Sequence, residues 1–146
     1  VWFNGSDHPR DWLHHILPGA RRREIRAAQT ISQRLAPHVG GDTLFIIGGH
    51  SLGGCLAEIE TFILCALGER AHCHIYAGKR APRSHMVDDG AVAYRHRGDI
   101  VPSLPPWRPA RRRRMPTAVF GSRTWPWKAH PPHQYKRKMQ EAGFSW

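Results

Sequence analysis

Cysteine is scarce: Cys55, Cys65 and Cys73 are the only three, and none stands in a C-x-x-C arrangement. That excludes a disulfide scaffold and a four-cysteine zinc site. Cys55 and Cys65 fall in an apolar helical stretch, where thiols usually serve packing. Long hydrophobic runs are also missing. The longest, such as Phe62 to Leu67, fall far short of the roughly 18 residues a membrane-spanning helix needs. Acidic residues are few, 11 against 22 lysines and arginines, for a net charge of +11. Such a surface attracts anions. No internal repeat is present, so a solenoid or propeller is excluded. The chain opens at Val1 inside an apolar segment, which places any leader peptide ahead of it.

What is present suffices for a folded unit. Forty per cent of the 146 residues are hydrophobic, well above the composition of a disordered chain, and the length suits one domain over 1–146. Val1-Trp2-Phe3 reads as a short strand broken by Asn4-Gly5-Ser6-Asp7. Asp11-Trp12-Leu13 with Ile16-Leu17 has helical spacing, ended by Pro18-Gly19. From about Arg22 to Ala36 an apolar stripe of Ile25, Ala28, Gln29, Ile31, Ser32 and Leu35 predicts a helix, stopped by Pro37 and Gly40-Gly41. Thr43 to Ile47 is a continuous run of β-type residues, expected as a central parallel strand covered on both faces. Leu52 to about Leu67 then reads as a helix closed by Gly68. His74–Ala77 and Ala91–Tyr94 predict two further strands, and Thr117–Phe120 a short one. Gln134–Ala142 predicts a terminal helix. The sum is an α/β fold with a mostly parallel central sheet and flanking helices. Prolines 102, 105, 106 and 109, followed by Arg111 to Arg114, make 105–116 an exposed loop in expectation.

Gly49-His50-Ser51-Leu52-Gly53, followed by Gly54, is a G-x-S-x-G pattern between the strongest strand and the apolar helix. By average Gly and Ser frequencies the pattern alone is about a one-in-twenty accident in a chain this long. The strand before it and the helix after it give it weight. A serine on so sharp a turn is held in strained backbone and projects from the sheet, while the glycines remove side chains that would collide with neighbouring elements. The N-terminus of the following helix aims free N–H groups at the point where an oxyanion would develop. Ser51 is the candidate nucleophile.

A serine hydroxyl needs a histidine base, and that histidine needs an acid to fix its tautomer. Elbow folds place these partners later in the chain, in the order Ser, acid, His. Among Glu58, Glu60, Glu69, Asp88, Asp89 and Asp99, the last stands out. It follows the strand around Tyr94, at a strand's carboxyl end, where α/β sites lie. Its bland alternative is a turn residue after Gly98. Two histidines follow it, His130 and His133, and sequence order leaves both open.

These residues resemble the class 3 lipase family, the fungal-lipase-like α/β-hydrolases, over nearly the whole chain. Val1 to Ser6, then Asp11-Trp12-Leu13, is similar to that family's apolar strand, F-R-G-[ST] oxyanion segment and D-W-L. Gly49 to Gly54 matches its G-H-S-L-G-G elbow. Tyr94-Arg95 and Asp99-Ile100-Val101-Pro102 with Leu104-Pro105-Pro106 resemble its Y-R... D-I-V-P-x-L-P-P segment. The resemblance implies Asp99 as triad acid and, because a histidine five residues before a tyrosine closes the family pattern, His130 rather than His133 as base. It further implies Ser6 and the amide of Leu52 as oxyanion donors. Asn4 replaces the usual arginine, Gly48 stands where threonine is common, and the stretch between Leu17 and Arg22 is short. The family has chain before its first strand, so an exposed sheet edge at Val1 is expected.

The expected activity is therefore hydrolysis of acyl esters or lipids through Ser51, His130 and Asp99, with no cofactor. Arg21–Arg23, Arg111–Arg114 and Lys136–Lys138 could contact an anionic membrane or lipid surface. Nucleic acid is the less favoured partner. Trp107, Trp125 and Trp127 near the second cluster would suit such a surface. The rival from another class is a non-catalytic basic binding domain on a decayed hydrolase scaffold. His72 and His74 share one face of a strand, but two imidazoles do not make a metal site, and no metal is expected.

Overall fold

The structure, a computed structural model, describes residues 1–6, 20–87, 89–106, 115–121 and 129–143. Five strands form one sheet: β1 (Trp2–Phe3), β2 (Leu44–His50), β3 (Arg70–Tyr76), β4 (Ala91–His96) and β5 (Thr117–Phe120). They pair in chain order β1-β2-β3-β4-β5, every pair parallel. Helix α1 (Ala20–Leu35) lies in the β1–β2 connection and α2 (Leu52–Ala66) in the β2–β3 connection. When each strand is added beside the last in the same direction, right-handed crossovers bring successive helices to one face. Accordingly α2 lies against β1, β2 and β3, and α1 packs on α2. Helix α3 (Pro132–Glu141) follows β5.

The sheet's period-2 alternation divides the side chains. Phe45, Ile47, Cys73, Ile75, Ala91 and Ala93 join Ala57 and Leu64 of α2 in the main core. Tyr76 and Phe120 point the other way and pack with Tyr135 and Met139 of α3. The sheet therefore carries helices on both faces, an α/β architecture.

Several expectations need correction. The apolar run of β2 is not covered on both faces. Ile46 is 58% exposed and Leu44 42%, because only the alternate residues face α2 and no described element lies over the others near the β1 edge. Cys65 is exposed, unlike the buried Cys55. On α1 the stripe is rotated: Gln29 is exposed while Glu24 is buried. A buried carboxylate needs a partner, and Lys79, in the loop after β3, supplies an ion pair. Along the same helix the Ser32 hydroxyl hydrogen-bonds the Glu60 carboxyl, its Oγ 2.9 and 3.0 Å from the two oxygens, and burial pushes that carboxyl's pKa up. The expected Asp11–Leu17 helix, Arg111–Arg114 and Trp107, Trp125 and Trp127 lie outside the described residues. Among the described residues no helix is long and apolar enough to cross a membrane.

Candidate active site

A parallel sheet presents all its carboxyl ends at one edge, and loops leaving that edge converge. Ser6 lies three residues beyond β1, Ser51 directly beyond β2 and Asp99 three beyond β4. His130 returns beyond β5, just ahead of α3. Chain order thus delivers all the candidate side chains to one rim.

Ser51 occupies a backbone conformation that an L residue rarely takes, φ 60° and ψ −118°. Such strain persists only where the surroundings over-determine it. They do so here. Its N–H donates to the Tyr76 carbonyl at 2.9 Å, and its own carbonyl accepts the Lys79 N–H at 3.2 Å. The turn is sharp enough that the motif's glycines are compulsory. A Cβ on Gly49 would lie 2.3 Å from the Gly53 carbonyl oxygen, and one on Gly53 would lie 2.1 Å from that of Phe3. Because that second obstacle is backbone, Gly53→Ala should displace β1. It is expected to cost more than the roughly 1–3 kcal/mol of ordinary overpacking, as urea denaturation would measure.

The same close packing seats the oxyanion candidates. A Cβ on Gly5 would lie 3.0 Å from Ser51 Cβ, so the loop that carries Ser6 runs directly against the elbow. Leu52 is the first residue of α2, so its N–H has no intrahelical acceptor and belongs to the helix's positive end.

Asp99 is 1% exposed and its carboxylate accepts three donors. Oδ1 accepts the Val101 N–H at 2.9 Å. Oδ2 accepts His130 Nδ1–H at 2.9 Å and the Tyr135 hydroxyl at 2.6 Å. The bond to Nδ1 leaves Nε2 as the basic nitrogen of a neutral His130. His133 sits exposed in the first turn of α3, and among the described contacts it makes none with Asp99. Ser51 Oγ makes no hydrogen bond among the described residues.

Two further residues belong to this cluster, matched in the sequence motifs but given no role there. Tyr135 is almost fully buried. Its hydroxyl accepts the His96 N–H at 2.9 Å while donating to Asp99, and burial followed by the Asp99 charge pushes its pKa up. It therefore stays protonated and ties the carboxylate to the end of β4. The only sequence signal was its spacing from His130. Tyr135→Phe would orphan the buried His96 N–H, at a cost of about 1–3 kcal/mol, and remove one of the three donors on Asp99. Denaturant unfolding should register that loss, with turnover falling and KM little changed. His50, the residue between Gly49 and Ser51, is the second. Its ring lies 4.7 Å from that of His130, and its Nε2 is 2.8 Å from the His130 carbonyl oxygen. Burial first, then repulsion from His130, lowers its pKa to about 4.

Among the described residues no group of three or more His, Cys, Asp or Glu side chains could hold a metal ion. His72 and His74 do share a sheet face, and His74 Nδ1 is instead 3.2 Å from the Tyr94 hydroxyl. A scan against protein-family models finds no match, and a search of the curated proteins finds none either.

Proposed function

We propose that the chain is a serine carboxylester hydrolase of the α/β-hydrolase type, similar to class 3 lipases. One observation carries this reading: a serine in strained backbone and a histidine backed by a buried carboxylate share one edge of a parallel sheet.

In the proposed reaction Ser51 Oγ attacks the ester carbonyl carbon while His130 Nε2 takes the hydroxyl proton. The carbonyl oxygen becomes an oxyanion held by the amides of Ser6 and Leu52. The intermediate collapses, the bond to the alcohol oxygen breaks, and that oxygen receives the proton from Nε2. An acyl ester remains on Ser51. Water, losing a proton to His130 Nε2, attacks the acyl carbon; on the second collapse the bond from that carbon to Ser51 Oγ breaks, Oγ takes the proton from Nε2, and the acid leaves. Asp99 orients Nδ1–H and stabilises the imidazolium.

A panel of p-nitrophenyl esters of graded acyl length, together with triacylglycerol and phospholipid as monomers and as emulsions, tests this reading and ranks the substrate classes. A hydrolase turns over at least one of them, with no metal added. No turnover anywhere, alongside salt-sensitive binding to anionic vesicles, would instead favour the basic binding domain.

A further inference from the structure

We infer that His50 is a positioning residue for the base, fixing the backbone of His130 relative to the nucleophile. The inference rests on the ester-hydrolase reading for its consequence, though its geometry stands on its own. A hydrogen bond at Nδ1 orients the imidazole, but the ring still follows any drift of its own main chain. Asp99 makes the bond at Nδ1, and His50 fixes the main chain, its Nε2–H donating to the His130 carbonyl at 2.8 Å.

Strand alternation puts the side chain there. Phe45 and Ile47 face α2, as a Cβ on Gly49 would, so His50 faces the opposite side, where its ring meets those of His130 and of Tyr135 in α3. It ends β2 and is bonded directly to Ser51. The hydrogen bond therefore ties the nucleophile's neighbour to the base's own main chain, across 80 residues of sequence. The tautomer follows from the acceptor: a carbonyl oxygen takes only a donor, so Nε2 carries the proton. The ring is 6% exposed, stands 4.7 Å from the His130 ring and meets Tyr135 edge-on at 5.6 Å. Burial beside a second histidine keeps His50 neutral, so no fixed positive charge opposes the imidazolium that forms on His130 during turnover.

Two substitutions separate the donor from the ring. His50→Phe keeps the flat ring against His130 and removes the N–H. His50→Gln keeps an N–H donor of similar reach and removes the ring. Because displacements of about 1 Å at a reacting group cost up to about a hundredfold, His50→Phe should lower kcat by about tenfold to a hundredfold with KM within about twofold. Acylation of Ser51 by a fluorophosphonate should slow in parallel. His50→Gln should recover most of both. Proton NMR of the Asp99–His130 Nδ1–H resonance should show it broadened or shifted in the Phe variant and near its wild-type position in the Gln variant. A Phe variant with unchanged kcat and unchanged resonance would overturn the inference. So would equal impairment of both variants in proportion to lost stability. Wild-type protein that never reacts at Ser51 would sink the hydrolase reading, while the resonance would still decide the positioning role.

Discussion

Replacing Ser51 with alanine is expected to lower ester hydrolysis by about three orders of magnitude or more, leaving only what binding and the oxyanion donors supply. The fold should survive. Ser51 makes no side-chain cap to α2 and no described hydrogen bond through Oγ, so the substitution removes an oxygen atom and little else. Retention of a thermal unfolding midpoint close to wild type, beside the collapse in turnover, would place the loss in the chemistry. An alanine variant with near-normal hydrolysis would mean that another nucleophile acts.

Asp99→Asn should be nearly as severe. The carboxylate receives three donors on two oxygens: Val101 N–H on Oδ1, and His130 Nδ1–H with the Tyr135 hydroxyl on Oδ2. An asparagine amide must present N–H2 to one side. Facing Val101, it sets donor against donor in a buried site. Facing His130, it favours the opposite tautomer, leaving Nε2 protonated and unable to accept the serine proton. Either way the base is lost or the site is destabilised, and an analogous change in a triad enzyme lowers kcat by about 10⁴. We expect kcat to fall by about three to four orders of magnitude, with partial recovery at high pH, where hydroxide can replace the missing base. Full activity in the Asn variant would remove Asp99 from the proposed mechanism.

What could be read from residues alone was local or directional. The run from Leu44 through the glycine-flanked serine to Leu67 encodes strand, turn and helix in sequence-adjacent residues. Steric demand at Gly49 and Gly53 is why those positions carry no side chain. Asp99 was visible because a parallel sheet sends every strand's carboxyl end to one rim. His130 could be separated from His133 only by its resemblance-based spacing to Tyr135, since both flank the same proline pair.

The remainder depended on contacts between distant segments. Glu24 looks like an ordinary polar residue of a basic helix until Lys79, 55 residues away, arrives beside it. Ile46 and Leu44 look like core because apolar runs usually are, yet coverage is decided by which helices cross that end of the sheet. His50 matches the histidine of the G-H-S-L-G-G elbow, but its contact with the base exists only once His130 has folded back across the sheet edge. Tyr135 served as a spacing mark, whereas its hydroxyl bridges β4 and the acid.

The most direct test is covalent. Folded wild-type protein is exposed to an alkyl fluorophosphonate, digested, and mapped by mass spectrometry, with His130→Ala as the companion. A single phosphonyl adduct on the peptide containing Ser51, formed rapidly in wild type and at least about a hundredfold more slowly without His130, is the expected result. An unlabelled Ser51, or labelling indifferent to the loss of the imidazole, would contradict the proposal that this serine is activated by that histidine.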